Sequence, residues 1–313
     1  MLQRWVQQIR PHQWVHQLTV IVLVSHFGQV SWERLLSAPT VSLFGTLAFL
    51  LIGDYKHRNE DAQMGRDRLT HHLSLRAVLG CLGVCLAVVF GFAVYYGGLL
   101  CLAFVAMMLG ATLLYNIAKK KRRLWLSYTG RFASGVALVG VYHSYFYNEL
   151  SWQVLPLAMC AGFLDVAGNL AGDIRDLLGD RQAGLSTFPL RWGTHRTVGF
   201  ILVLQGLGYV LVFPMVVVEV WWWLSLLVWP FFGALLLVQA PTSWKHGAIH
   251  GPKLLQLLWI GAALYPTATS TVVASSFVFT ILWLGSYRLY HWSARRTTQP
   301  ILSVQSLYAS LSS

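Results

Sequence analysis

Charge is scarce in this chain: of 313 residues only 11% are charged against 56% apolar, with a mean hydropathy of +0.56. A water-soluble domain carries about 25% charged residues, so the composition excludes water as the main solvent. Strict polar–apolar alternation, the mark of membrane β-strands, is missing as well. The apolar runs are long and rich in Leu, Val, Ala and Gly. Hydrocarbon tolerates no unpaired backbone polar group, so runs of that kind have to be helices. Cysteine is sparse too. Cys81, Cys85, Cys101 and Cys160 lie inside apolar runs at no metal-ligand spacing, which makes them packing residues. Residues 1–17 are polar and basic, with no small-residue cleavage site after the first apolar run, so a cleavable signal peptide is not expected.

What the chain has is a series of spanning-length runs. A transmembrane helix needs roughly 20 apolar residues, and candidates fall at about 16–31, 38–54, 76–97, 98–117, 124–147, 150–170, 196–217 and 219–240. The last region, 254–291, is too long for one ordinary span; it reads as two short helices broken near Pro266, or as one span plus an interfacial stretch. The expected fold is all-α: a polytopic transmembrane bundle of about nine spanning helices (eight to ten), with residues 1–313 forming a single domain.

The scarce charge is lopsided, with 23 Lys and Arg against 11 Asp and Glu, a formal net charge of +12. No nucleic-acid-binding motif accompanies it, so nucleic acid is not an expected partner. Laid on alternate loops, most bases fall on one side of the membrane: Arg4 and Arg10, Lys56 to Arg68, Lys119 to Arg123, Arg175 to Arg191, and Lys245 with Lys253. The other side has Arg34 as its only strong base, and Arg288, Arg295 and Arg296 fit the rule only if 254–291 crosses twice. That asymmetry places the N-terminus and these loops in the cytoplasm of an integral, multi-pass membrane protein (the cell inner membrane in a bacterium). The expected partners are the bilayer and either an anionic lipid or a phosphorylated substrate.

Seven of the eleven acids gather in the two longest loops on that side, about 54–76 and 173–195. In the second, Asp173, Asp176 and Asp180 are spaced three and four apart, so on a helix end they would share one face. Carboxylates that close repel one another unless a cation neutralises them. Hard oxygen ligands without His or Cys favour Mg²⁺, which binds through a few carboxylates and substrate phosphates.

The run Asp-x-x-Asp-x-x-x-Asp-Arg-x-x-Gly-x-x-Thr, from Asp173 to Thr187, resembles the second aspartate motif of the UbiA superfamily of intramembrane prenyltransferases. Other landmarks follow in family order. Arg10-Pro11-His12-Gln13-Trp14 opens the first helix like the family's Arg-Pro-x-x-Trp, and Tyr115 to Lys120 resembles Tyr-x-x-x-Lys-Arg, with Gly130 at the expected distance. The first aspartate motif departs from the pattern. In one register Asp54, Arg58, Asp61 and Arg68 match while Gly53 replaces Asn and His57 replaces the middle Asp; a rival register uses Asn59, Glu60, Gln63 and Asp67, with Arg76 at the family's Arg-Pro. An expected metal ligand is missing in both. The first register keeps the helix end and more identities, and is preferred.

The resemblance implies Mg²⁺-assisted loss of pyrophosphate from a prenyl diphosphate, with transfer of the isoprenyl group to a lipid-soluble, aromatic-type acceptor in a central lipid-accessible cavity. Asp173, Asp176 and Asp180 would be catalytic and metal-holding, with Asp54, His57 and Asp61 at a second metal, and Arg58, Arg68 and Lys119 on the diphosphate. Trp14, Tyr55, Tyr128 and Phe132 are candidates for the prenyl or acceptor pocket, joined by Asn169 and the intramembrane Asp165, since an acid inside a span tends to face a functional cavity. Within the same superfamily the residues also allow a terpene cyclase or a polyprenyl-phosphate phosphoribosyltransferase. A reading from another class is a non-catalytic isoprenoid-lipid binder or transporter.

Overall fold

Pro11 has no N–H to lose and a φ already set for a helix, and it opens α1 (Pro11–Ser25) of the computed structural model. The structure describes residues 10–212 apart from 26, 57, 59–68 and 183, together with scattered positions between 233 and 289. The second helix, α2, runs Trp32–Lys56, and a 3-10 turn at Leu69–His71 leads into α3 (Leu75–Lys120). Ser74 caps α3, its hydroxyl accepting from the Ala77 N–H at 3.2 Å. Then come α4 (Leu124–Tyr147), a 3-10 turn at Trp152–Val154, and α5 (Leu155–Arg175). Two short helices, α6 (Leu177–Gln182) and α7 (Phe188–Trp192), precede α8 (Thr194–Val212). No strand occurs among the described residues.

The 46 residues of α3 would reach about 69 Å if straight, more than twice the roughly 30 Å of hydrocarbon in a bilayer. They do not run straight. Gly98 takes φ 60 and ψ −155, a backbone only glycine adopts readily, and breaks the helix. The break falls where the sequence places the boundary between spans 76–97 and 98–117. Among the described residues, four segments are long and apolar enough to cross a membrane: α2, α3, Trp152–Arg175 and α8. With such helices the chain is an integral membrane protein, and its fold is all-α.

One boundary moves. The first span, expected at 16–31, is instead α1 at Pro11–Ser25. Proline sets the early start, and the Tyr147 hydroxyl ties down the end by donating to the carbonyls of Val24 at 3.1 Å and Ser25 at 3.0 Å. The predicted spans 219–240 and 254–291 lie outside the described residues, scattered positions excepted.

Successive spans run antiparallel. Leu51 of α2 packs beside Cys85 of α3. A Cβ on Gly130 of α4 would sit 2.7 Å from the Ala111 carbonyl oxygen of α3, and one on Gly135 would sit 2.7 Å from the Ala161 oxygen of α5. The two glycines thus let the backbone of α4 approach both neighbours. Besides that small α2–α3 cluster, two larger apolar cores result among the described residues. One, around Val24, Val89, Cys101, Tyr145 and Leu164, fills the half near the Gly98 break. The other, around Tyr128, Leu170, Ile174, Phe188 and Val198, fills the opposite half. This topology brings Arg10, Asp54, Lys119, Tyr128 and Asp173 to one end of the bundle.

Candidate active site

Asp173 lies in the last turn of α5, buried at 4% exposure. Its Oδ1 accepts from Lys119 Nζ at 2.9 Å, and its Oδ2 accepts from the Tyr128 hydroxyl at 2.7 Å and the Asn169 amide nitrogen at 3.5 Å. Lys119, in the last turn of α3, also reaches Asp180 Oδ2 at 3.4 Å. A single ammonium therefore bridges two carboxylates. Burial is the main reason the Asp180 carboxyl is pushed up to about 6; Lys119 opposes the shift, and Asp173 and Asp176 add to it. The Tyr128 hydroxyl in turn accepts from the Phe188 N–H at 3.2 Å, which ties the loop after Asp180 to α4.

The expected three-carboxylate face is corrected here. The helix breaks at Asp176, so Asp173 ends α5 while Asp180 sits in the separate α6. Asp176 turns to its neighbour Arg175, whose Nε donates to it at 2.9 Å. No group of three or more His, Cys, Asp or Glu side chains gathers among the described residues in a way that could hold a metal. The sequence spacing assumed a continuous helix, and the break after Arg175 removes that condition.

In the first acidic segment, Asp54 is buried in the last turn of α2 at 5% exposure. Arg10 donates to its Oδ1 at 2.5 Å, while its Oδ2 is buried without a hydrogen-bond partner. His57, Asp61 and Arg68 lie outside the described residues. Arg58 is exposed and stacks 4.8 Å above the half-buried ring of Tyr55. The indole N–H of Trp14, one turn after Arg10, is buried and also lacks a partner.

The pocket candidates divide. Tyr128 belongs to the Asp173 centre. Phe132 packs edge-on to Phe163 at 4.9 Å, in the contact between α4 and α5. Asp165 pairs with Arg131 at 3.8 Å, and Asn169 accepts from Arg131 Nε at 3.0 Å. Two cations were missed by the sequence reading as site residues: Arg10 and Arg131. Arg131 carried a usable signal, since it is a charge inside a predicted span. Arg10 sits within the quoted opening motif, but nothing in its spacing points to Asp54, 44 residues away.

These groups suit a hard divalent cation. Asp54 keeps an unsatisfied buried oxygen, Asp173 and Asp180 offer oxygens that now share an ammonium, and neither His nor Cys contributes a ligand atom among the described residues. These charged groups lie at one end of a helical membrane bundle.

The sequence matches the UbiA prenyltransferase family over residues 17–248, and the chain belongs to that family. No curated protein matches the sequence. Among solved structures, the fold is similar to that of a digeranylgeranylglyceryl phosphate synthase (TM-score 0.58, 15% identity, covering 85% of this chain and 100% of the other). It is also similar to a UbiA homolog from Archaeoglobus fulgidus bound to GPP and Mg²⁺ (TM-score 0.54, 16% identity, covering 91% and 99%). The same homolog bound to DMAPP and Mg²⁺ gives the same TM-score of 0.54.

Proposed function

We propose that this chain is a Mg²⁺-dependent prenyltransferase, moving an isoprenyl group from a prenyl diphosphate to a lipid-soluble, aromatic-type acceptor. The observation that carries the reading is Lys119 held between Asp173 and Asp180 at the end of the spans where Asp54 keeps an unpartnered oxygen. Cleaving an allylic C–O bond demands neutralisation of the departing diphosphate rather than a strong nucleophile. Bound Mg²⁺ would supply that neutralisation as a Lewis acid. Asp173 and Asp180 would hold it, joined by Asp54 and, in the preferred register, His57 and Asp61. Lys119 would pass from its carboxylate partners to a phosphate oxygen, with Arg58 and Arg68 as further phosphate contacts. Tyr128 fixes Asp173 by a 2.7 Å hydrogen bond and so keeps one carboxylate oxygen aimed at Lys119. The similarity to a homolog bound to GPP and Mg²⁺ supports this assignment. The basic loops on the same side support a cytoplasmic site.

Purified protein in lipid nanodiscs, given Mg²⁺ and a panel of prenyl diphosphates with aromatic acceptors, is expected to release pyrophosphate and form a prenylated product by mass spectrometry. Asp173→Asn should lower release on the order of a hundredfold to a thousandfold. A hydrocarbon or alcohol formed without acceptor would replace transfer by cyclisation. Parent protein inert toward every donor would remove the enzymatic reading and favour a lipid binder or carrier.

A further inference from the structure

Arg131 lies seven residues into α4, about 10 Å from its start. An ionic group at that depth is costly and needs partners. It has several. Nη1 lies 3.8 Å from Asp165 Oδ2, Nε donates to Asn169 Oδ1 at 3.0 Å, and the guanidinium sits 5.0 Å from the centre of the Tyr115 ring. Gly130 makes this possible, because α3 and α4 approach too closely there for any side chain. The contacts continue toward the polar end: Asn169, one turn before Asp173 on α5, donates its amide nitrogen to Asp173 Oδ2 at 3.5 Å.

An amide has one donor end and one acceptor end. Because Arg131 occupies the acceptor end of Asn169, the donor end must face Asp173; a flipped amide would set oxygen against carboxylate oxygen. Asp173 Oδ2 is then held by two neutral donors, Tyr128 and Asn169, and Oδ1 is the oxygen left for a cation, now Lys119. We infer that Arg131, anchored by Asp165, is a positioning residue that sets the orientation of Asn169 and thereby fixes which oxygen of Asp173 meets the cation. It touches neither the cation nor the diphosphate. Residues behind a ligand commonly govern its affinity in this way. The inference rests on the prenyl diphosphate reading, and it assigns Arg131 and Asp165 a role that the proposed chemistry does not itself require.

The test is a binding measurement. Full-length protein in nanodiscs is titrated with Mg²⁺ in the presence of geranyl S-thiolodiphosphate, an unreactive analogue, following the thermal shift. The variants are Arg131→Lys, which keeps the charge but loses the Nε–H; Arg131→Met with Asp165→Asn, which removes both charges together; Asn169→Ala; and Arg131→Lys combined with Asn169→Ala. The Mg²⁺ concentration for half-maximal shift should rise about tenfold in each, and no further in the last combination, because both changes break one relay. A simple pin between α4 and α5 would lower the unliganded melting temperature and leave that concentration unchanged. Half-saturation within twofold of the parent in both Arg131 variants would overturn the inference, as would a hundredfold rise in the last combination. A parent that shows no shift with Mg²⁺ and the analogue removes the prenyl diphosphate reading, and this inference falls with it.

Discussion

The two ends of the bundle hold their polar groups in opposite ways. At the end near the Gly98 break, Arg34 donates to the Phe146 carbonyl and Tyr147 to the carbonyls of Val24 and Ser25, while the hydroxyls of Ser37 and Tyr145 meet at 2.6 Å. Apart from Arg34 these groups are neutral, and the carbonyls that Arg34 and Tyr147 bond belong to helix ends that need hydrogen bonds in any membrane helix. At the other end, Lys119, Arg10 and Arg131 all pair with carboxylates. Backbone carbonyls cannot leave, so the first arrangement is a clasp. Side-chain ion pairs can be exchanged for the charges of a ligand, so the second is a poised site. On the proposed reading, the difference separates residues that fold the chain from residues that act.

The comparison breaks first at Lys119. Lys119→Met should cut pyrophosphate release about a hundredfold, since it removes the counterion of Asp173 and Asp180 together with the proposed phosphate contact. An Arg34→Met variant with an equal loss of turnover and no loss of stability would erase the distinction between the ends. Next is Gly130→Ala. Its new methyl would lie 2.7 Å from a backbone oxygen, so α3 and α4 must separate. The expected result is a stability loss of about 1–3 kcal/mol in thermal unfolding, together with a several-fold loss of turnover because Lys119 and Arg131 shift with the helices. At the clasp, Tyr147→Phe should cost about 1 kcal/mol and leave pyrophosphate release within twofold. Turnover falling with stability there would show that the clasp also shapes the site.

Much of the bundle was legible because helix periodicity and span length are local properties. The break at Gly98 sits where the sequence placed a boundary, and α4 occupies 124–147 as expected. The apolar run at 16–31 does not mark the start of α1, whereas Pro11 in the opening motif does. In the site, the spacing of Asp173, Asp176 and Asp180 was visible, but their grouping was not. Whether three acids share a face depends on helix continuity, and α5 ends at Arg175 while Asp180 sits in the separate α6. Long-range partners such as Arg10 with Asp54 and Arg131 with Asp165 leave no spacing signature. Residue type alone marked Arg131 as unusual.

The smallest effect sharpens the account of the poised end. Asp180 lies outside the spans, and its carboxyl is raised to about 6, chiefly by burial. A carboxyl raised above its unfolded value binds its proton more tightly in the folded state, so its contribution to stability is full below pH 4 and is lost as pH rises through about 6. Unliganded protein should therefore lose some thermal stability between pH 5 and pH 7, and Asp180→Asn should flatten that slope. Mg²⁺ with a prenyl diphosphate analogue should act in the opposite sense, because the bound cation favours the ionised carboxylate. Its stabilising shift should weaken as pH falls below about 6, where the Asp180 proton competes with the metal. Tyr147 at the clasp donates to the carbonyl oxygens of Val24 and Ser25 and meets no carboxylate among the described residues, so it contributes no such slope. If Tyr147→Phe altered the pH dependence of the ligand shift as much as Asp180→Asn does, the two ends would not be energetically separate.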